Sequence, residues 1–178
     1  MDLSQALQLA FGHHTASNLD QAEIIYQRIL DADPNQPDAL HLLGMLALQT
    51  GKMEEAAELT SKAVAIVPGN PEAHFHLGVA LQTLGRLEAA AESYQRALEI
   101  NTSYVEAYNN LGAVYEDLEW LEEAVTCYRE AISIKPDYVG PHMNLGAIFR
   151  KLGRPGDALA YYHKAIELEP DYAELHST

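Results

Sequence analysis

Eight histidines are the side chains of this 178-residue chain with the most chemistry to offer near neutral pH, as metal ligands or acid–base groups. His74 and His76 stand two apart. On a helix that spacing sends the rings to different sides, so the two cannot chelate one ion together. His13 and His14 lie near the chain start and are expected at the surface. The run from Gly44 through Gly51 and Lys52 to Met53 has a faint look of a phosphate loop. It places six residues between the glycines and no Ser or Thr after the Lys, so it is discarded. Cys127 is the single cysteine and reads as a buried or partly buried thiol, not a nucleophile. Glu54-Glu55 and Glu122-Glu123 read as solvated carboxylates near helix starts. Asn101-Thr-Ser103 fits a glycosylation acceptor, which matters only in a secreted chain. No Ser-His-Asp or Cys-His order has any supporting context. The expectation is therefore no catalytic residues, no metal site, no cofactor and no enzymatic activity.

Charge narrows the partners. Lys and Arg number 11 against 26 Asp and Glu, a net charge of −15. That excess repels phosphate backbones and anionic lipid, so neither nucleic acid nor membrane is expected as a partner. The residues after Met1 lack a basic n-region and a long apolar core, and no run approaches a membrane span. One cysteine forms no internal disulfide, and cytoplasmic residence is the simplest reading.

The elements that must position these side chains are written as a repeat. Ala124 to Tyr138 reads AVTCYREAISIKPDY, and thirty-four residues later the chain reads ALAYYHKAIELEPDY. Gly44, Gly78, Gly112 and Gly146 keep the same period, each preceded by Leu, as do Ala22, Ala56, Ala90, Ala124 and Ala158. A third column reads Tyr26, Thr60, Tyr94, Tyr128, Tyr162, and a fourth Pro34, Pro68, Thr102, Pro136, Pro170. Inside a unit the apolar residues recur at three and four, as in Leu111, Val114, Tyr115, Leu118 and then Leu121, Ala124, Val125, Tyr128. That is a pair of helices, not strands. Gly51-Lys52, Gly85-Arg86 and Gly153-Arg154 break the pattern mid-unit, and the prolines end it. Asn70 before Pro71 and Glu72 predicts an N-cap, while Ser103 to Glu106 and Asp171 to Glu174 have the spacing of capping boxes. Small columns let helices approach and large ones fill the hollows beside them. One pair cannot bury both faces, so the pairs must stack.

Leu-Gly near the start of each unit, Tyr four residues after Ala, a further Ala and then Pro, all on a period of thirty-four, resembles the tetratricopeptide repeat. With units opening at Leu3, Pro37, Pro71, Val105 and Val139, the resemblance covers repeats 3–36, 37–70, 71–104, 105–138 and 139–172, with 173–178 opening a sixth. It implies one all-α domain over 1–178, a right-handed superhelical solenoid of five helix-turn-helix repeats. Repeat one departs at Ala10 and Ile29, repeat three at Thr102, and repeat four turns on Glu119-Trp120. His74, His142 and His176 share the fourth position, where the family places a bulky packing residue, so packing is expected of them.

The resemblance also implies a surface. In the family the first helix of each repeat lines a concave groove. Leu42, Met45, Phe75 and Val79 then face it toward the N-terminal half, and Asn109, Asn110, Ala113, Asn144 and Ala147 toward the C-terminal half. The Lys/Asn/Arg carboxylate clamp of the chaperone-binding branch is not legible, since its slots hold Leu7, Phe11, Leu42, Glu72 and His76. Asn110 and Asn144, at position six, are similar to the asparagine ladder of the O-linked N-acetylglucosamine transferase superhelix, in which amides grip an extended peptide backbone. Three functions stay open. The chain is a protein-interaction scaffold holding an extended or helical peptide, the substrate-selecting module of a larger enzyme such as a glycosyltransferase or sulfotransferase, or a self-assembling solenoid. Ala158, Tyr161, Tyr162, Ala165 and Ile166 are expected to leave an uncovered apolar end, so the chain is expected to self-associate there or to belong to a longer superhelix.

Overall fold

The computed structural model describes residues 2–170. Among them are ten α-helices and no strand: α1 (Leu3–Thr15), α2 (Leu19–Ala32), α3 (Pro37–Gln49), α4 (Met53–Ile66), α5 (Pro71–Thr83), α6 (Leu87–Ile100), α7 (Val105–Asp117), α8 (Leu121–Ile134), α9 (Val139–Lys151) and α10 (Pro155–Leu168). The odd-numbered helices open on the five residues at which the sequence units begin. They are called A helices below and the even-numbered ones B helices.

Local chemistry explains the boundaries. Asn70 caps α5, its side chain accepting from the Ala73 amide at 3.0 Å, and Pro71 follows at N1. Gln36 does the same for α3, and Asp2 with Gln5 closes a reciprocal capping box on α1. The N-cap of α7 is Tyr104, one residue after the Ser103 that the sequence nominates. The Asp171–Glu174 box lies outside the described residues, as does His176. Within each repeat the A-to-B turn passes through one left-handed residue: Ser17 (φ 61°), Gly51 (80°), Gly85 (72°), Glu119 (61°) and Gly153 (69°).

The described helices fall into two compact units, one ending at Asn101 with α1–α6 and one starting at Thr102 with α7–α10. In both, each A helix packs on its own B helix at the columns of the repeat: Gly78, Gly112 and Gly146 against Tyr94, Tyr128 and Tyr162, and Gly44 against Thr60. A Cβ at Gly112 would stand 2.7 Å from the Tyr128 ring, and one at Gly78 would stand 2.6 Å from Tyr94. Tyr26, Tyr94 and Tyr128 are fully buried. The small column therefore exists to admit a ring, and the ring replaces the contact the missing side chain would have made.

Candidate peptide-binding surface

In the first unit the backbone of α1 approaches that of α3, and α3 that of α5, while the backbones of α2, α4 and α6 stay apart and are linked by exposed ion pairs at their starts, Lys52 with Glu23 and Arg86 with Glu54. In the second unit the backbone of α7 approaches that of α9, and the backbones of α8 and α10 stay apart. Rows that converge lie on the inside of a curve, so within each unit the A helices form the concave side and the B helices the convex side.

All nine residues that the sequence nominates for a groove lie on A helices, and all are half-buried. In the first unit Leu42 and Met45 of α3 flank buried Leu43 and Leu46, and Val79 of α5 sits between buried Gly78 and Ala80. In the second unit Asn109, Asn110 and Ala113 of α7, with Asn144 and Ala147 of α9, alternate in the same way with buried Leu111, Val114, Leu145 and Ile148. Phe75 of α5 also reaches inward. Its ring centroid lies 5.7 Å from the buried Tyr94 ring and 5.6 Å from His76, which ties it to the core.

Neighbouring A helices are laced together at a constant offset of thirty-five residues. His41 Nε2 and His76 Nδ1 stand 2.8 Å apart across α3 and α5, and His14 Nε2 meets Gln49 Oε1 at 2.9 Å across α1 and α3. In the second unit Asn144 Nδ2 donates to Asn109 Oδ1 at 3.4 Å, and Lys151 pairs with Glu116. Asn109 Nδ2 in turn donates to Asn110 Oδ1 at 3.3 Å, making a string of three amides. These pairs join position five to position six, or twelve to thirteen, of the next repeat. A scan at one residue more than the repeat length carries the signal, but the thirty-four-residue columns do not show it.

The remaining reactive side chains take structural places. His14 is not on the surface, as expected from its terminal position, but only 6% exposed. Its ring is edge-on to Tyr26 and held by Gln49. His74 and His142 each meet the carbonyl of the proline six residues earlier, Pro68 and Pro136, at 3.0 Å, pinning an A helix to the preceding turn. Burial pushes the Cys127 thiol up to about 12, with Glu130 and Glu123 adding to the rise, so it is a thiol and not a thiolate at neutral pH. Lys52 of the discarded phosphate-loop match is paired with Glu23 at 2.9 Å in a helix-to-helix turn. Burial lowers the His41 pKa against the pull of Glu72 and Asp38, and lowers that of His76 to about 4, with His41 adding to the drop.

Family models match along the chain: TPR repeat over 83–119, tetratricopeptide repeat over 105–138 and again over 141–172, and anaphase-promoting complex, cyclosome, subunit 3 over 15–97. No curated protein matches in sequence. Among solved structures, the crystal structure of MamA is 31% identical, with 98% of each chain covered and a TM-score of 0.87. MamA 41-end from Desulfovibrio magneticus RS-1 superposes with a TM-score of 0.86 at 18% identity, covering 98% of this chain and 97% of that one. YrrB, a TPR protein with an unusual peptide-binding site, has a TM-score of 0.84 at 23% identity, covering 97% of this chain and 89% of that one.

Proposed function

Because the chain belongs to the tetratricopeptide repeat family, we propose that it is a non-catalytic scaffold holding an extended peptide segment of a protein partner on the concave faces of its A helices. The observation that carries this reading is the row of half-buried side chains on those helices. Side chains that are neither core nor fully exposed, set along one face of neighbouring helices, make a largely preformed contact surface. The two units offer different chemistry. Leu42, Met45 and Val79 give the first an apolar seat for side chains. The string Asn144, Asn109, Asn110 gives the second amides that both donate and accept, suited to a peptide backbone. The excess of carboxylates selects against acidic segments.

A phage-displayed random peptide library panned on the full chain tests the proposal. Selected peptides should lose at least tenfold in affinity, about 1.4 kcal/mol, to Leu42→Glu/Val79→Glu or to Asn110→Ala/Asn144→Ala. Melting temperature should move little. Failure to enrich any sequence, or enriched peptides indifferent to both double variants, would refute it.

A second reading, self-association through the C-terminal end, rests on Leu159 and Ile166 of α10, which are 57% and 44% exposed. The residues first expected on that end divide differently. Ala158 and Ala165 are buried, and Tyr161 is half-buried with its ring stacked on Phe149 at 5.5 Å. Leu159→Glu/Ile166→Glu should abolish any concentration-dependent rise in sedimentation coefficient, whereas a native chain that sediments as a monomer at every concentration removes the reading.

A further inference from the structure

The groove reading leaves one cluster unused. His41 and His76, on adjacent A helices of the first unit, direct ring nitrogens at each other across 2.8 Å, with ring planes tilted by 34°. Each imidazole has a carboxylate one turn earlier on its own helix: Asp38 three residues before His41, and Glu72 four residues before His76. Both spacings put acid and imidazole on one helix face, and both are chelating spacings in helix-borne metal sites. Both carboxylates are near enough to act on the His41 charge. Asp38 is already engaged, accepting from Gln36 Nε2 at 3.3 Å, whereas Glu72 is exposed in the first turn of α5.

We propose that the first unit carries a site for a divalent transition metal, in which His41 Nε2 and His76 Nδ1 clip the ion and the Glu72 carboxylate supplies a third ligand. Zinc held tetrahedrally by two imidazoles at about 2.0–2.1 Å separates the two nitrogens by roughly 3.3 Å, so the clip must open by about half an ångström. The two nitrogens now face each other along a hydrogen bond, so each ring must also turn for both lone pairs to converge on the ion. Among the described residues no three such side chains stand together as a ready-made set, so Glu72 must swing onto the ion. Its side chain is exposed and has room to do so. The ion takes the place of the proton now shared between the rings. That proton passes to an outer ring nitrogen, leaving His41 protonated at Nδ1 and His76 at Nε2, so binding by the imidazoles releases no net proton. Two imidazoles and one carboxylate select zinc, copper, nickel or cobalt over magnesium and calcium. His74 takes no part, since its ring is bound to the Pro68 carbonyl.

The test is calorimetric titration of the full chain with Zn²⁺ at pH 7.5, followed by substitution with Co²⁺. One ion should bind per chain with Kd tighter than about 10 μM. His41→Gln and His76→Gln should each weaken binding at least tenfold and Glu72→Gln several-fold, while His74→Gln should leave it unchanged. The visible bands of bound Co²⁺ should be intense, reporting a low coordination number, and Mg²⁺ should not compete. Absence of stoichiometric Zn²⁺ binding, or an equally tight ion in His41→Gln/His76→Gln, overturns the proposal. Weak octahedral Co²⁺ bands in the native chain overturn it independently of how any variant folds. None of these readouts involves a peptide, so the groove and the metal site stand or fall separately.

Discussion

At the scale of single residues, identical types carry opposite consequences because their surroundings differ. Gly112 is pressed by the Tyr128 ring, whereas Gly12 of α1 has nothing within 4 Å of where a Cβ would be. Gly112→Ala should therefore destabilise, by roughly 1–3 kcal/mol for a group forced into a full core. Gly12→Ala should stabilise by about 0.5–1 kcal/mol, since only the helix preference for Ala remains. Urea melts of the two variants check this: shifts of the same sign would mean that the Tyr128 ring does not press on Gly112. His76 makes a pH-dependent contribution. Its folded pKa of about 4 lies below the ordinary 6.5, so between those values the unfolded chain takes up a proton that the folded chain does not. The stability is present above pH 6.5 and lost as pH falls toward 4, to a limit of roughly 3 kcal/mol. His41, also lowered, adds in the same direction. Melts at pH 7 and pH 5 in the presence of a chelator should show a smaller loss for His76→Gln than for the native chain.

At the scale of elements, the A-to-B turn repeats one backbone requirement with different residues. Gly51, Gly85 and Gly153 meet it without a Cβ, while Ser17 and Glu119 hold the same left-handed conformation with one. Gly85→Ala should cost about 1–2 kcal/mol. Glu119→Gly should gain less than about 1 kcal/mol, because the relief is partly offset by the larger backbone freedom of Gly in the unfolded chain. Thermal melts of the pair decide it: a stabilised Gly85→Ala would mean the turn does not impose the left-handed state. The same turn shows what punctuation conveys. Gly-Lys and Gly-Arg mark it directly, but Glu119-Trp120 does so only through its place in the period. The N-cap of α7 falls on Tyr104 and not on Ser103, a one-residue difference in helix start of the kind that sequence patterns locate least well.

For the whole molecule the governing quantity is charge. Carboxylates outnumber Lys and Arg by 15, and Lys52, Lys62, Arg86, Arg96, Lys151, Arg154 and Lys164 are already paired with acids. Most of these pairs are well exposed and contribute little, so the surplus acids repel more than the pairs attract. Raising salt from about 10 mM to 150 mM shortens the Debye length from about 30 Å to about 8 Å and should raise the melting temperature by a few degrees. A fall would show that the ion pairs outweigh the repulsion.

The sequence by itself determined the ten helices, their pairing and the packing columns, because all depend on contacts within a repeat that the chain writes once every thirty-four residues. It also nominated residues for the concave face through position in the repeat, and every one of them is half-buried on an A helix. What only the tertiary structure decided is which side chains meet between repeats. His41 with His76, Asn109 with Asn144 and His14 with Gln49 depend on the lateral approach of neighbouring A helices, which offsets partners by thirty-five residues. His14 looked exposed for the same reason: nothing near it in the chain buries it, and the Gln49 and Tyr26 side chains that do are brought to it by the packing of α2 and α3 against α1.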